Sequence, residues 1–164
     1  MSPPESPPPS PSTEREFACV LLVDPHGRLL LQERDEHPVI DPETWSLPGG
    51  HVEAGEDVLA AAHRELAEET ELRDQRIAFW RTFAVHHPGY GSTDDVHVHL
   101  GATRATDADV VCHEGRRIVF VDPRAALVLP LSALAAQAVP ALLTSPDYVA
   151  LLETLAAPEG DEVP

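Results

Sequence analysis

The chain has 164 residues, of which 43% are hydrophobic, and a net charge of −17. This length suits one domain with a core of its own, and no apolar run reaches the ~18 residues that a membrane span needs. With 28 acidic against 11 basic residues, the charge balance argues against a broad surface for nucleic acid or anionic membrane. A small phosphorylated ligand is compatible with it, because a bound metal ion can reverse the local potential.

Composition predicts three segments. Residues 1–15 are rich in Pro and Ser and predict a disordered tail, residues 16–157 a single folded domain, and residues 158–164 a flexible acidic end. The tail lacks the basic and apolar regions of a secretory signal; a solvated tail and a proline-rich docking ligand are its two interpretations. Cys19 and Cys112 have no metal or redox spacing, so a cytoplasmic protein is expected.

The first part of the domain reads as short strands joined by turns. Residues 17–23 form a nearly continuous apolar run, which is typical of a strand buried on both faces. Residues 24–27 contain Pro and Gly at turn positions, and residues 28–34 return as a second strand, so a hairpin is expected. Residues 45–47 then lead to Gly49 and Gly50, where paired glycines allow a ligand or metal close to the backbone.

A helix with an acidic face follows the glycines. Its apolar residues recur at helical spacing and predict a buried stripe: Val58, Leu59, Ala62 and Leu66. Glu65, Glu68 and Glu69 stand at i, i+3 and i+4, on one face of the helix. Such close carboxylates repel one another unless a counter-charge is present, and a hard divalent cation prefers oxygen ligands. A solvated acidic surface is the alternative, and the preceding glycine loop favours the metal.

The remaining residues alternate strands, turns and C-terminal helices. Residues 77–85 read as a strand, residues 86–95 as a long loop and residues 118–121 as a further strand. Helices are expected at 132–143 and 146–155. Strands around one central helix, followed by a helical C-terminus, predict an α/β protein with helices on both faces of a mixed sheet.

Residues 96–102 alternate strictly, which places the valines and Leu100 on one strand face and His97 with His99 on the other. Three interpretations of this histidine pair are open: two zinc ligands, a half-exposed strand face, or part of a substrate cleft. Since no Ser-His-Asp or Cys-His arrangement has supporting context, nucleophilic catalysis is not expected.

The glycine turn and acidic helix together resemble the Nudix box of the Nudix hydrolases. The matching positions are, in order, Gly50, Glu56, Arg64, Glu65, Leu66, Glu68, Glu69 and Leu72. Glu71 departs from the pattern, since the family has at this position a glycine that ends the helix. A left-handed glutamate there costs on the order of 1 kcal/mol, and otherwise the helix runs on.

The resemblance implies a Nudix α/β/α sandwich around a mixed β-sheet. It also implies hydrolysis of a nucleoside diphosphate linked to another group X, with Mg²⁺ or Mn²⁺ as cofactor. The implied metal ligands are Glu65, Glu68, Glu69 and the carbonyl of Gly50. A homodimer is compatible with the family, whereas nucleic acid and membrane are not expected as partners.

Further roles follow from the same resemblance. Glu56 and Arg64 would pair and fix the loop on the helix, and Arg64 counts among the catalytic residues. Glu53 would make an outer or water-mediated contact. The carboxylate that accepts the proton of the attacking water is one of three: Glu65, Glu69 or Glu114, the last in a loop between late strands.

Substrate identity is less clear from the sequence. A nucleoside triphosphate or modified nucleotide is the first expectation, and a nucleotide sugar or ADP-ribose is its rival. A Nudix-fold module that binds nucleotides without cleaving them is the alternative of another class, disfavoured because every box carboxylate is present. The side chains expected to stack on a base or contact a phosphate are Arg34, Trp45, Phe83, Tyr90, His97 and His99.

Overall fold

The structure is a computed structural model that describes residues 15–87 and 91–157. Tyr90, most of the predicted N-terminal tail and the predicted flexible end at 158–164 lie outside the described residues. Within the described ranges, no helix is both long enough and apolar enough to cross a membrane.

Seven strands form one mixed sheet. They are β1 (Glu16–Val23), β2 (Leu29–Glu33), β3 (Trp45–Ser46), β4 (Gly49–His51), β5 (Ala78–His87), β6 (Ser92–Ala102) and β7 (Arg117–Val121). All of β1 pairs in parallel with β6. β4 and β2 pair antiparallel with the two ends of β1. β5 lies antiparallel to β6, and both β3 and β7 pair with β2. The predicted hairpin of the first two strands is confirmed.

Helices cover both faces of this sheet. They are α1 (Val58–Thr70), α2 (Pro123–Ala126), α3 (Ala133–Leu143) and α4 (Pro146–Ala156). Successive residues of a strand point to opposite faces, so Ala18, Val20 and Leu22 pack under α1 while Cys19 and Leu21 pack under α3. β1 is therefore buried on both faces, as its apolar run predicted, and the α/β/α sandwich is confirmed.

The acidic helix α1 has well-formed ends. Asp57 caps its start by accepting a hydrogen bond from the Ala60 N–H at 3.2 Å. Its last residue is Thr70, and Glu71 follows in the left-handed conformation with φ 60° and ψ 10°. The helix therefore stops where a box glycine would stop it, and the strained glutamate replaces that glycine.

The loop predicted over residues 86–95 is shorter than its sequence indicated. β5 continues to His87 and β6 begins at Ser92, with these two residues paired. The His86 ring and the Thr93 hydroxyl are 3.2 Å apart across the strands and hold this extension together. As a result Asp94 belongs to a strand, on the same face as Val96.

Candidate active site

β4 brings two glycines against the middle of the molecule. Gly49 and Gly50 pair with Cys19 and Ala18 of β1. A Cβ added to Gly49 would collide with the Ala18 carbonyl oxygen, and one added to Gly50 would lie 2.5 Å from the carboxyl carbon of Glu65. Position 49 therefore requires glycine, because its closest contacts are with backbone atoms, whereas a side chain at position 50 would displace the Glu65 carboxylate that lies against it.

Glu69 is the most buried of the box carboxylates, with 4% of its surface exposed. The Gly49 N–H donates a 3.0 Å hydrogen bond to its Oε2. Burial raises the pKa of Glu69 to about 9, and the adjacent Glu114 carboxylate adds to the rise. Without a nearby cation this carboxyl group keeps its proton at neutral pH.

Arg64 lies between the other two box carboxylates. Its Nη1 is 2.9 Å from Glu65 Oε1 and 3.3 Å from Glu68 Oε2. Burial still raises the pKa of Glu65, although Arg64 opposes the rise. The Glu68 side chain is 60% exposed. Glu65 and Glu69 are thus two largely buried acids, whereas Glu68 faces solvent.

The other edge of Arg64 binds the loop before the helix. Its Nε and Nη2 donate to the two oxygens of Glu56 at 2.8 and 2.9 Å, and Nη2 also donates to the His51 carbonyl at 3.0 Å. Hydrogen bonds from Arg64 and the Glu53 N–H lower the pKa of Glu56 to about 2. The Glu53 carboxylate is 69% exposed and 4.0 Å from Arg64. The structure therefore places Glu56 and Arg64 in a two-bond contact.

A divalent cation fits this donor set. Glu69 is buried and Glu65 half-buried, and burial raises the pKa of both carboxyl groups, so a nearby cation would favour their charged forms. Their oxygens and the Gly50 backbone are the hard ligands that Mg²⁺ and Mn²⁺ take. In the described residues, three possible ligand side chains approach one another within 4.8 Å at one place, residues 35–37, which is outside the box. The box therefore suits an ion held by one or two carboxylates that keeps several waters.

Glu114 is brought to Glu69 by backbone bonds rather than by its own helix or strand. The His113 N–H donates to the Glu69 carbonyl at 3.0 Å, and the Gln32 side chain donates to the Glu114 carbonyl at 2.8 Å. Gly115 has φ 80° and lies against the Glu33 carbonyl, where a Cβ would approach within 2.5 Å. This turn requires glycine and directs the loop along the end of α1.

A cleft of about 330 Å³ opens beside these groups, on the sheet face that carries α3. At the end next to the box it is lined by Cys19, Arg34, Gly49, Gly50 and Glu114. Farther from the box it is lined by Arg15, Phe17, His51, His87 and Asp94 and by the apolar Val85, Val96 and Leu134. Because Val85 pairs with Asp94 and Val96 with Phe17, charged and apolar side chains share this far end of the cleft.

Of the predicted substrate contacts that lie within the described residues, Arg34 is the one that lines this cleft. Its Nε donates to the Asp41 carbonyl at 3.2 Å and its Nη2 donates to the Ile40 carbonyl at 2.8 Å. Because its partners are neutral carbonyls, its charge is available for a phosphate.

Trp45 and Phe83 do not line the cleft. Trp45 is 6% exposed in β3, and the Arg117 guanidinium lies 5.0 Å from its ring. Phe83 packs beside Trp80, with ring centroids 5.6 Å apart. Both aromatics belong to the packing under α3, so the expectation that they stack on a base does not fit their placement.

His97 and His99 face away from the cleft, which also departs from the expectation. They lie on the α1 side of β6, because Val96 and Val98 occupy the side of α3. His97 contacts the Thr82 hydroxyl at 2.8 Å and Glu16 at 3.3 Å. His99 is fully buried, and burial lowers its pKa. In the described part of the chain neither belongs to a metal-binding trio.

Sequence reasoning missed a charged network at the far end of the cleft. Asp94 is 1% exposed and accepts hydrogen bonds from Arg15 Nε at 3.3 Å and Nη2 at 3.2 Å. The His87 Nε2 lies 2.9 Å from the same carboxylate. Asp94 lies on the same strand face as the apolar Val96. An acid on an apolar face was the sequence signal that could have indicated a buried carboxylate with a charged partner. Its partners lie far away in sequence, so spacing alone did not reveal them.

Comparison with known proteins agrees with this architecture. The sequence model of the NUDIX domain matches residues 13–142. The chain is 45% identical over 61 residues to the m7GpppN-mRNA hydrolase NUDT17 of Xenopus laevis, covering 37% of this chain and 21% of that protein. It is 49% identical over 51 residues to an RNA pyrophosphohydrolase of Caulobacter vibrioides, covering 31% and 28%. The chain thus spans less than a third of the length of these curated relatives.

Solved structures show the same fold. A MutT NUDIX hydrolase from Burkholderia pseudomallei superimposes with a TM-score of 0.69 at 23% identity, covering 79% of this chain and 98% of that chain. The NUDIX domain of Shewanella oneidensis NrtR, solved with ADP ribose, gives a TM-score of 0.61 at 18% identity and covers 88% of each chain. At these identities the likeness concerns the fold.

Proposed function

Because the chain belongs to the NUDIX domain family, we propose that it is a metal-dependent hydrolase of pyrophosphate bonds in nucleoside diphosphate derivatives. One observation carries the proposal: the buried Glu69 and the half-buried Glu65 meet the Gly49–Gly50 backbone at the wall of a cleft of about 330 Å³. A binding module without catalysis is the weaker alternative, because every carboxylate of the box is present.

Glu65, Glu69 and the Gly50 carbonyl would hold Mg²⁺ or Mn²⁺, with Glu68 at the exposed side. When bound, such an ion neutralises charge on the substrate phosphates and orients them. Arg34 would contribute a second positive charge, since it lines the cleft at the end next to the box. Arg64 acts indirectly, because its bonds to Glu56 and His51 hold the glycine loop on the helix.

Of the three candidate bases, we propose that Glu114 accepts the proton of the attacking water. It lines the cleft and lies beside Glu69, whereas Glu65 and Glu69 are committed to the metal. A positioned carboxylate of this kind contributes roughly 10²–10⁴-fold to such a reaction.

The first substrate candidate is a nucleoside triphosphate or a modified nucleotide, which the cleft accommodates with its phosphates at Arg34 and the box. ADP-ribose or a nucleotide sugar is the rival, since the similar NrtR domain was solved with ADP ribose. An RNA 5′ end is a further candidate, because the names of two relatives specify RNA or mRNA as substrate. The unpaired cysteines agree with the proposed cytoplasmic location.

A substrate panel tests the proposal. Purified protein is incubated with NTPs, dNTPs, 8-oxo-dGTP, ADP-ribose, nucleotide sugars and a 5′-triphosphate RNA oligonucleotide, each with Mg²⁺ or Mn²⁺. Products are identified by chromatography and phosphate release. We expect cleavage within the pyrophosphate of at least one nucleotide, abolished by EDTA and restored by added Mg²⁺. Tight nucleotide binding without any cleavage would instead support the binding module.

A further inference from the structure

Asp94 holds Arg15 in a fixed orientation at the far end of the cleft. A carboxylate with 1% exposure needs its hydrogen bonds, and it receives them from Arg15 Nε, from Arg15 Nη2 and from His87. Arg15 and His87 both line the cleft. The network is therefore a built feature of the cleft wall.

The hydrogen bonds to Asp94 use one edge of the Arg15 guanidinium, and a second edge remains for a ligand. A guanidinium carries five N–H donors in a planar fork. Nε and one N–H of Nη2 serve Asp94, and the edge formed by Nη1 and the second N–H of Nη2 makes no hydrogen bond to the described residues. Arg15 thus offers the cleft two parallel donors and no acceptor.

The surroundings of these donors favour an aromatic ring over a phosphate. The Phe17 and His51 rings lie next to Arg15 with their centroids 4.3 Å apart, and the guanidinium is 5.7 Å from the Phe17 centroid. Val85, Val96 and Leu134 line the cleft alongside. Flat apolar and aromatic surfaces suit a base, whereas a phosphate beside the buried Asp94 carboxylate would be repelled.

The position of Arg15 also suits a base. Arg15 precedes Cys19 by four residues along the extended chain, a rise of roughly 13 Å. Cys19 is paired with Gly49 beside the box. A nucleotide that lies along the cleft with its phosphates at the box and Arg34 would bring its base to Arg15.

On the basis of the proposed function, we infer that Arg15, held by Asp94 and His87, selects a guanine-type base through its O6 and N7 acceptors. These two atoms accept from a guanidinium edge in one plane, whereas adenine presents the N6 amino donors in place of O6. The preferred substrates are nucleotides of guanine or hypoxanthine, because the 2-amino group plays no part in the contact.

Binding of nucleoside diphosphates tests this selection without requiring turnover. GDP, IDP, ADP and 7-deaza-GDP are titrated calorimetrically into the wild-type protein with Mg²⁺. We expect GDP and IDP to bind roughly 10-fold more tightly than ADP, and 7-deaza-GDP, which lacks N7, to bind more weakly than GDP. Equal binding of GDP and ADP, or no binding of GDP, would overturn the inference.

The variant Arg15→Lys keeps a positive charge for Asp94 and removes the paired donors. We expect it to bind GDP and ADP within about 2-fold of each other, with ADP affinity unchanged. Arg28→Lys is the matched control, since Arg28 pairs with the buried Asp24 at 2.8 Å and has the same 39% exposure as Arg15. Equal weakening of GDP and ADP by Arg15→Lys would make Arg15 a phosphate contact and refute the inference.

The two proposals fail separately. Hydrolysis without base preference refutes the selection by Arg15 and leaves the proposed function in place. Preferential binding of GDP without any hydrolysis refutes the proposed function and supports the selection. If Arg15→Lys does not fold, the comparison of GDP with 7-deaza-GDP on the wild-type protein decides the point.

Discussion

A carboxyl group buried to the extent of Glu69, with 4% exposure and one backbone donor, is costly to ionise. Glu65 lies close by, with its own pKa raised, and Glu114 adds a third negative group. Natural proteins keep such groups where a ligand or metal compensates them. The free-energy cost of ionising the buried Glu69 is the reason, at the scale of one residue, for expecting a cation beside it.

Glu69→Gln is expected to lower turnover at least ~10²-fold, because the amide cannot replace an anionic metal ligand. The fold should survive, with the free energy of unfolding within about 1 kcal/mol of wild type. The glutamine carbonyl oxygen can still accept from the Gly49 N–H. Turnover is measured on the best substrate of the panel and stability by urea denaturation. Glu153→Gln, an exposed acid on α4, is the control, and full activity of Glu69→Gln would refute the metal site.

The pair Glu56–Arg64 has a defined pH dependence. The pKa of Glu56 is lowered from 4.5 to about 2 in the folded state, so its contribution to stability is present above pH 4.5 and is lost as the pH falls toward 2. Glu56→Gln should therefore destabilise the protein near neutral pH, by an amount that shrinks with acidification. Urea denaturation of both proteins across this range measures the difference. A difference independent of pH, or an equal effect of the control Glu53→Gln, would contradict the pairing.

At the scale of elements, the end of α1 is where this chain departs from its family. The helix stops because Glu71 adopts φ 60°, which costs a non-glycine residue on the order of 1 kcal/mol. The Glu71 carboxylate lies 3.3 Å from His113, with both side chains 50% exposed. Such an exposed pair contributes about 0–1 kcal/mol and offsets part of the strain.

Glu71→Gly is expected to stabilise the protein by up to about 1 kcal/mol, since glycine adopts this conformation without strain. The gain should be larger in a His113→Ala background, where no ion pair is lost. Chemical denaturation of the two single variants, the double variant and wild type gives the coupling. Destabilisation by Glu71→Gly in both backgrounds would show that the strain argument is wrong.

β6 carries a second element-level feature, the fully buried His99. Its Nε2 has no hydrogen-bond partner within the described residues, and Phe79 meets its ring edge-on at 5.9 Å. Burial is the main reason its pKa lies below the ordinary value of 6.5, and nearby His97 and His63 add repulsion. Burial under α1 therefore favours the neutral imidazole of His99 over the charged imidazolium.

Stability should therefore fall as the pH drops below 6.5, because the unfolded chain then binds a proton that folded His99 resists. His99→Leu removes this titration and should reduce the loss of stability between about pH 7.5 and about pH 5.5. Thermal unfolding at both values measures it. His37→Asn is the control, since that side chain is 81% exposed. An unchanged pH dependence in His99→Leu would contradict the assignment.

At the scale of the whole molecule, the sheet lies between the acidic helix α1 and most of the cleft. α1 packs on one face, and the cleft opens on the other, beneath α3. They come together at β4, where Gly49 and Gly50 place no side chain between helix and cleft, and at Glu114, which lines the cleft beside Glu69. Under the proposed function, activity depends on this opening between the two faces of the sheet.

Mg²⁺ should raise the melting temperature, because an ion that binds only the folded state stabilises it by about 2.7 kcal/mol at a hundred times its dissociation constant. Scanning calorimetry with increasing Mg²⁺ at constant ionic strength measures the shift. Glu69→Gln should abolish most of it. Glu36→Gln, which alters the exposed acidic cluster at 35–37, should leave it unchanged. An equal shift in wild type and Glu69→Gln would indicate non-specific binding to a chain of net charge −17.

Local sequence patterns predicted most of the fold. The apolar run of β1 and the alternation of β6 each identified an element, since side-chain periodicity follows directly from backbone geometry. The stripe predicted on α1 was right for Ala62 and Leu66 and wrong for Leu59, which is 38% exposed, because Ala61 is the neighbour that turns toward the sheet. β4 was missed because a strand of two glycines and a histidine has no such pattern. The extension of β5 and β6 was missed because cross-strand pairing, rather than local propensity, stabilises it.

The sequence by itself determined the fold class, because side-chain periodicity marks strands and helices along the whole domain. It also determined the family resemblance, because the matching residues and the predicted metal ligands lie within one helix and the loop before it. Only the tertiary structure decided which side chains share the cleft. It brought in Arg15, His87 and Asp94 and removed Trp45, Phe83, His97 and His99. The physical reason is that one step along a strand reverses the face that a side chain occupies, and strand pairing joins residues such as Arg15 and Asp94 that are 79 positions apart.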